Sequence, residues 1–455
     1  MVQVRVRNSG VALVVAAGLI AGGCSSSSSS SSTLACPSKH GRAVAGTAPA
    51  APAATGRPAA GWTLPGADLA NTRYVASAIT SADVSTLGVA WTVPLTIPTT
   101  RTDGAYATTP VIVNGVVYVQ DLESNVMAIG LATGKVLWTH EYNSPNGGPD
   151  GVNVVGGVVY AATAKAAVAL DAATGEQLWS RTLIRNDHEG IAMAPGYNHG
   201  TVYVSTIPAN VAGQYLPGGE GILWALNART GAPEWSWDSV QNLWGNPGVN
   251  SGGELDAQTG TLLWQRPVGG HDGHEHDGLL TEHATPASRG LLPAEYCLEP
   301  SLYGGIVTQL ASNGSTTFAA VNDLALPATP VDYTGSATGV FEAIENATGE
   351  MVAVNQDTGT VEWDTPLPSS PYGAATVTND VVLTTTFKGY LYALDAATGA
   401  ILFKTPMSAG SNAPVAVDGG YVIAGAGAAL SSTQRDMIIA YKLGATGQLP
   451  DTVSS

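Results

Sequence analysis

The sequence predicts an all-β fold, a propeller of four-stranded blades, on three observations. A turn-and-strand pattern, Ala-x-Asp/Asn-x-x-Thr-Gly-x-x-x-Trp, recurs along the 455 residues. Its aromatic ends stand at 138, 179, 235, 264, 363 and 403, and two of the steps are 41 and 40 residues. That is the length of one four-stranded blade. The composition agrees: 55 glycines and only 12% charged residues suit strands joined by tight turns better than helices.

The elements follow in chain order. Arg5 and Arg7 precede the apolar run VALVVAAGLIAGG, which ends at Cys24. A charged start, a short apolar stretch and small residues before a cleavage point read as a secretory signal over 1–24. The run is too short for a membrane span. Its AGGC ending resembles the bacterial lipobox, which implies lipidation at Cys24; Ala21 is a weaker residue than the usual Leu, so ordinary cleavage stays open. Residues 25–60 begin with eight serines and continue rich in Ala, Pro, Gly and Thr, the composition of a tether. A flexible chain of ~35 residues has an end-to-end distance of about 33 Å. Cys36 in this tether and Cys297 in the domain are the two remaining cysteines. Export permits their pairing, but the sequence reading weighs against it. No adjacent Cys pair and no CxxC is present, so cysteine-based metal or redox chemistry has no support.

The domain spans 61–447, with 448–455 as a tail. ALDAATGEQLW at 169–179 matches the pattern in full, as do ALNARTGAPEW at 225–235 and AVNQDTGTVEW at 353–363. AIGLATGKVLW at 128–138 has Gly130 for Asp, and ALDAATGAILF at 393–403 ends in Phe403. ELDAQTGTLLW at 254–264 has Glu254 for Ala. Runs such as VVYVQ or VVLTTT precede most copies and have the β-branched character of strands. Asp or Asn followed by Thr-Gly predicts an Asx-type hairpin loop with a left-handed glycine. The aromatic residue that follows suits packing between neighbouring sheets.

This pattern resembles the tryptophan-docking motif of the quinoprotein dehydrogenase propellers, which use pyrroloquinoline quinone (PQQ). The resemblance runs from about Trp62 to Gly444. DLANTRYVASAITSADVSTLGVAW, 68–91, is similar to the family's opening, with Asn71, Arg73, Tyr74 and Trp91 in step. The family's N-terminal strand joins the last blade, here expected at 412–444, and closes the ring. Trp138, Trp179, Trp235, Trp264, Trp363 and Phe403 are then the docking aromatics. The complete family has eight blades; about six full ones and a half blade at 254–269 are counted here.

The resemblance also implies an axial PQQ with a divalent cation such as calcium, held by a Glu, an Asn, a Trp and an Asp base. The family's vicinal disulfide is missing. Glu220 occupies the place of the family's Arg, and Tyr215 that of its ligand Glu. The Gly-rich approach WGNPGVNSGG, 244–253, jumps straight to ELDAQTGTLLW. The 29 residues between Trp235 and Trp264 are too few for a blade and its linker. The material that would hold the remaining quinone ligands is the part removed, and an opening in the ring is expected beside 250–265.

HDGHEHDG at 271–278 offers His271, His274, His276 and Asp277 as a metal loop, for Zn or Cu by its imidazoles or Ca by its carboxylates. A solvated polar loop between blades is the plainer account of the same residues. His188 and Glu189 are read as turn and hydrogen-bonding residues. No GxSxG, HExxH, phosphate-binding loop or CxxCH occurs. The net charge of -17 argues against nucleic acid and anionic membrane surfaces as partners. The expectation is an exported, lipid-anchored binding or scaffold protein at the outer face of the cytoplasmic membrane or in the periplasm. Its partner is an envelope protein or a small molecule at the propeller mouth. The competing expectation is a PQQ- and metal-dependent dehydrogenase acting on an alcohol or sugar.

Overall fold

The computed structural model describes residues 36, 61–96, 104–211, 214–215, 218–238, 252–255, 262–270, 296–301, 303–328, 344, 346–429, 431 and 433–450. All lie in the compact unit Cys36–Ser455. The fold is all-β. Blade I is built from Val111–Val113, Val116–Gln120, Val126–Gly130 and Val136–His140. Blade II holds Asn153–Val155, Val158–Ala162, Ala166–Asp171 and Gln177–Thr182. Blade III holds Gly196–Asn198, Thr201–Ser205, Ile222–Asn227 and Pro233–Asp238. Half-blade IV is the pair Gly252–Leu255 and Leu262–Arg266. Blade V holds Ala311–Ser312, Thr316–Asp323, Thr348–Asn355 and Val361–Leu367. Blade VI holds Thr376–Thr378, Val381–Thr385, Tyr390–Asp395 and Ile401–Pro406. Blade VII holds Ala416–Asp418, Tyr421–Ala426 and Met437–Leu443.

The hairpin loops form as their residues dictate. Asp171 Oδ1 accepts from the Ala173 and Thr174 amides at 3.0 and 2.9 Å and from the Thr174 hydroxyl at 3.0 Å. Gly175 follows with φ 75°, the left-handed conformation that glycine adopts without a steric penalty. Asn227, Asn355 and Asp395 repeat the arrangement. One feature was not read from the sequence. Every docking hairpin carries a register shift at its aromatic, as between Ala128 and Ile129 opposite Trp138 and Val136. The bulge raises local twist and re-aims the strand.

That aim is what joins the blades. Trp138 Nε1 donates to Ala172 O at 3.0 Å, and Trp179 Nε1 to Ala228 O at 2.9 Å. Trp264 reaches Gln356 O at 2.8 Å, and Trp363 reaches Ala396 O at 2.9 Å. Trp91 starts the series on Leu131 O at 2.7 Å. Each indole lies flat on the turn glycine of the next repeat. A Cβ on Gly134, Gly175, Gly231, Gly359 or Gly399 would stand 2.6–2.7 Å from the preceding ring. The glycine is thus required twice, by its φ and by the ring above it. Phe403 packs half-buried against the core of blade VII.

Closure uses the N-terminal region twice. Leu87–Pro94 pairs antiparallel with Met437–Leu443 and completes blade VII, as the resemblance implies. Tyr74–Val75 pairs in parallel with Val377–Thr378 and adds a fifth strand to blade VI, which the sequence did not show. The reading against a disulfide is corrected: Cys36 and Cys297 are bonded, with their Cα atoms 5.4 Å apart. They are far apart in sequence, and only the folded chain brings them together. The chain is therefore bonded to the domain at Cys36.

Around residues 250–265, half-blade IV has two strands among the described residues and no inner pair. Trp264 docks on blade V, but Trp235 is 47% exposed, and among the described residues no carbonyl meets its indole N–H.

Candidate axial binding site

In each full blade the innermost strand is only two or three residues long, and the segment before it turns at the axis. These segments and the N-terminal stretch 64–71 enclose a cavity of about 750 Å³. That is within the usual range for small-molecule sites. The N-terminal stretch is held there by bonds to four blades. Ile112 N donates to Trp62 O at 2.7 Å, Ser312 N to Thr72 O at 2.8 Å, and Val377 N to Arg73 O at 2.8 Å. The buried Arg73 guanidinium donates to Ala375 O at 2.7 Å, Thr376 Oγ1 at 2.8 Å and Val415 O at 3.3 Å, with its carbon 5.0 Å from the Trp62 ring centre.

Three polar side chains on the cavity wall come from three different blades. Asn153 begins blade II, Thr308 precedes blade V, and Asn412 precedes blade VII. Asn153 is 4% exposed, and its amide donates to Pro195 O at 3.3 Å, which fixes its orientation. Asn153 Oδ1, Thr308 Oγ1 and Asn412 Oδ1 are buried without a hydrogen-bond partner. Buried polar atoms are normally satisfied, so three orphans facing one cavity point to a ligand or to ordered water. Asp68 and Asp150 also line it, with Tyr197 and Tyr203, while no Lys or Arg does so among the described residues.

This wall does not fit the family's quinone. PQQ is a tricarboxylate and needs cationic or N–H donors around its anionic groups. Here carboxylates and amide oxygens face the space instead.

The other residues singled out in the sequence fall as follows. His271, His274, His276 and Asp277 lie outside the described residues, as does Cys24. Among the described residues no group of three His, Cys, Asp or Glu is placed to hold a metal ion. Glu189 is buried and closes a turn, accepting from Arg185 N at 2.7 Å and Arg185 Nε at 3.3 Å. His188 donates its amide to Asn186 Oδ1 at 2.8 Å. Both serve the turn, as read. Glu220, in the family's Arg position, pairs with Arg185 on the flank of blade III.

One acidic group was missed. Glu350 is fully buried in blade V, near Asp323 and Asp364 on the strands either side. Burial first, then Asp364 and Asp323, push its carboxyl up to about 8. The Gly270 amide donates to Asp323 Oδ1 at 3.1 Å, so the group sits where the chain leaves half-blade IV. Its members are 27 and 14 residues apart in sequence, and only the strand register unites them.

The sheets and docking joints define a tryptophan-docked β-propeller. The family profile described as outer membrane protein assembly factor BamB matches residues 123–350 and 347–436. A second, the β-propeller domain of glucose/ethanol/alcohol dehydrogenases, matches residues 62–153. The chain belongs to the PQQ-repeat propeller family. It is similar to the quinohemoprotein alcohol dehydrogenase of Comamonas testosteroni, 32% identical over 192 residues, 39% of this chain and 26% of that protein. It is 25% identical to the dehydrogenase subunit of the quinone alcohol dehydrogenase of Gluconobacter oxydans (strain 621H), over 72% of this chain and 42% of the relative. It thus spans less than half the length of these relatives. The solved quinohemoprotein alcohol dehydrogenase ADHIIG of Pseudomonas putida HK5 superposes with a TM-score of 0.66 at 18% identity, covering 88% of this chain and 82% of that one. This likeness shows the fold. No helix among the described residues is long and apolar enough to cross a membrane.

Proposed function

We propose that this chain is an exported PQQ-repeat propeller that acts at the cell envelope as a binding protein and takes its ligand in the axial cavity. The observation that carries the reading is the convergence of three orphan polar atoms from three blades on one cavity. A fold held by docking joints positions such groups rigidly and asks no chemistry of them. The signal-like start and AGGC motif support export and anchoring at Cys24. Detergent-phase partitioning of the wild type against Cys24→Ser tests the anchor, and equal partitioning would remove it.

A second reading is a PQQ-dependent dehydrogenase, favoured by the relatives that carry that name. One experiment separates the two. The purified protein is mixed with PQQ and calcium, then assayed for bound quinone absorbance and alcohol-dependent dye reduction. The binding reading expects neither; stoichiometric quinone with turnover would replace it by the enzyme. At the 271–277 loop, a zinc or copper titration of wild type against the double variant His274→Ala, His276→Ala decides whether metal binds, and equal affinity removes the site.

A further inference from the structure

Resting on the binding reading above, we infer that the axial cavity selects an organic cation bearing an amine, in the place where the family carries an anionic quinone. Four observations lead to this class of ligand. The orphan atoms Asn153 Oδ1 and Asn412 Oδ1 are acceptors, so their partner must donate. Asn153 cannot turn its amide inward without breaking the bond from its Nδ2 to Pro195 O. Thr308 Oγ1 both donates and accepts, so it places no sign on the ligand.

The carboxylates of Asp68 and Asp150 stand on the same wall, and no basic side chain does among the described residues. Asp150 is 5% exposed, and a cation placed beside its carboxyl would favour the ionised form and be held by it. Asp68 is oriented by the Thr72 amide at 3.0 Å and the Thr72 hydroxyl at 2.6 Å, which keeps its charge at the cavity edge.

The remaining wall suits the body of such a molecule. Tyr197 and Tyr203 add aromatic surface, which can attract a cation, and Met193, Pro195 and Ile306 are apolar. A net charge of -17 over the chain raises the local concentration of cations and steers them inward. An anionic or purely apolar ligand would leave the Asn153 and Asn412 amide oxygens unmet.

The test uses spermidine and benzylamine as cationic probes, glucose as a neutral one, and PQQ with calcium as the anionic one. Binding to the full-length protein is followed by calorimetry and by thermal shift. The amines should bind, more weakly as salt rises. Asp150→Asn should weaken them about tenfold or more, as loss of a charged partner does. Asn412→Ala should do so by about threefold to tenfold, with both variants checked for native circular dichroism. Failure of both amines to bind overturns the inference. So does amine binding that neither variant changes, which would place it on the outer surface. If glucose binds and the amines do not, the binding-protein reading stands and the cation falls. If PQQ saturates the protein and supports dye reduction, both fall.

Discussion

Trp179 and Trp235 occupy the same place in consecutive copies of one sequence pattern, yet they differ in burial, and among the described residues only Trp179 has a turn to lie on. Trp179 lies on Gly231 and donates to Ala228 O at 2.9 Å. Trp235, at the end of the copy that supplies that very turn, is 47% exposed, and its ring stands 5.9 Å from that of Tyr203 between centres. The half-blade beyond it is tightly docked on its far side, through Trp264 on blade V. Each docked indole lies on a turn glycine of the next copy, as Trp179 does on Gly231 and Trp264 on Gly359. The pattern alone does not set how deeply its aromatic is buried.

This comparison can be broken or sharpened in four ways. The largest effect is expected at Trp363, which is fully buried in the V–VI joint. Trp363→Ala should cost about 3–5 kcal/mol in urea unfolding, and a value below about 1 would deny that the docked indole is a structural joint. Next comes Gly231→Val, which adds a Cβ 2.6 Å from the Trp179 ring at a φ of 66°. A cost of about 2–4 kcal/mol is expected, and a neutral result would mean the two blades simply part.

The third concerns the tight side of half-blade IV. Glu350 has its folded pKa raised from 4.5 to about 8, chiefly by burial. The folded state then holds a proton that the unfolded state releases. Stability is highest below about 4.5 and falls as pH rises through 8. Thermal melts from pH 5 to 9 should show this fall. Glu350→Gln should flatten the profile and add roughly 1–3 kcal/mol at the alkaline end. An unchanged profile would show the carboxyl to be solvated. The smallest effect is at Trp235, where Trp235→Ala should cost under about 1 kcal/mol. It should also remove a fluorescence component readily quenched by acrylamide. A loss as large as at Trp363 would show that Trp235 is docked in solution.

Much of the fold was legible because each docking unit is local. Turn, glycine and aromatic lie within eleven residues, and their chemistry depends on near neighbours. The closing strand at Leu87–Pro94 was legible only through resemblance. The bulge at each aromatic was hidden, because a shift of register leaves no composition signal. The candidate site was hardly legible at all. Asn153, Thr308 and Asn412 are ordinary polar residues in turns, more than 100 residues apart, with no motif around them. The bonded pair Cys36 and Cys297 was misjudged, since spacing says nothing of distance in space.

The sequence by itself determined the unit: its hairpin, its left-handed glycine, its outward aromatic and the interruption before Glu254. Those follow from backbone sterics and hydrogen bonds within a few residues. Only the tertiary structure decided which aromatics find a partner, which carboxylates lose water together in blade V, and which polar atoms meet at the axis. Those outcomes depend on how whole sheets stack and on what is buried when they do, a sum over distant residues that no local pattern records.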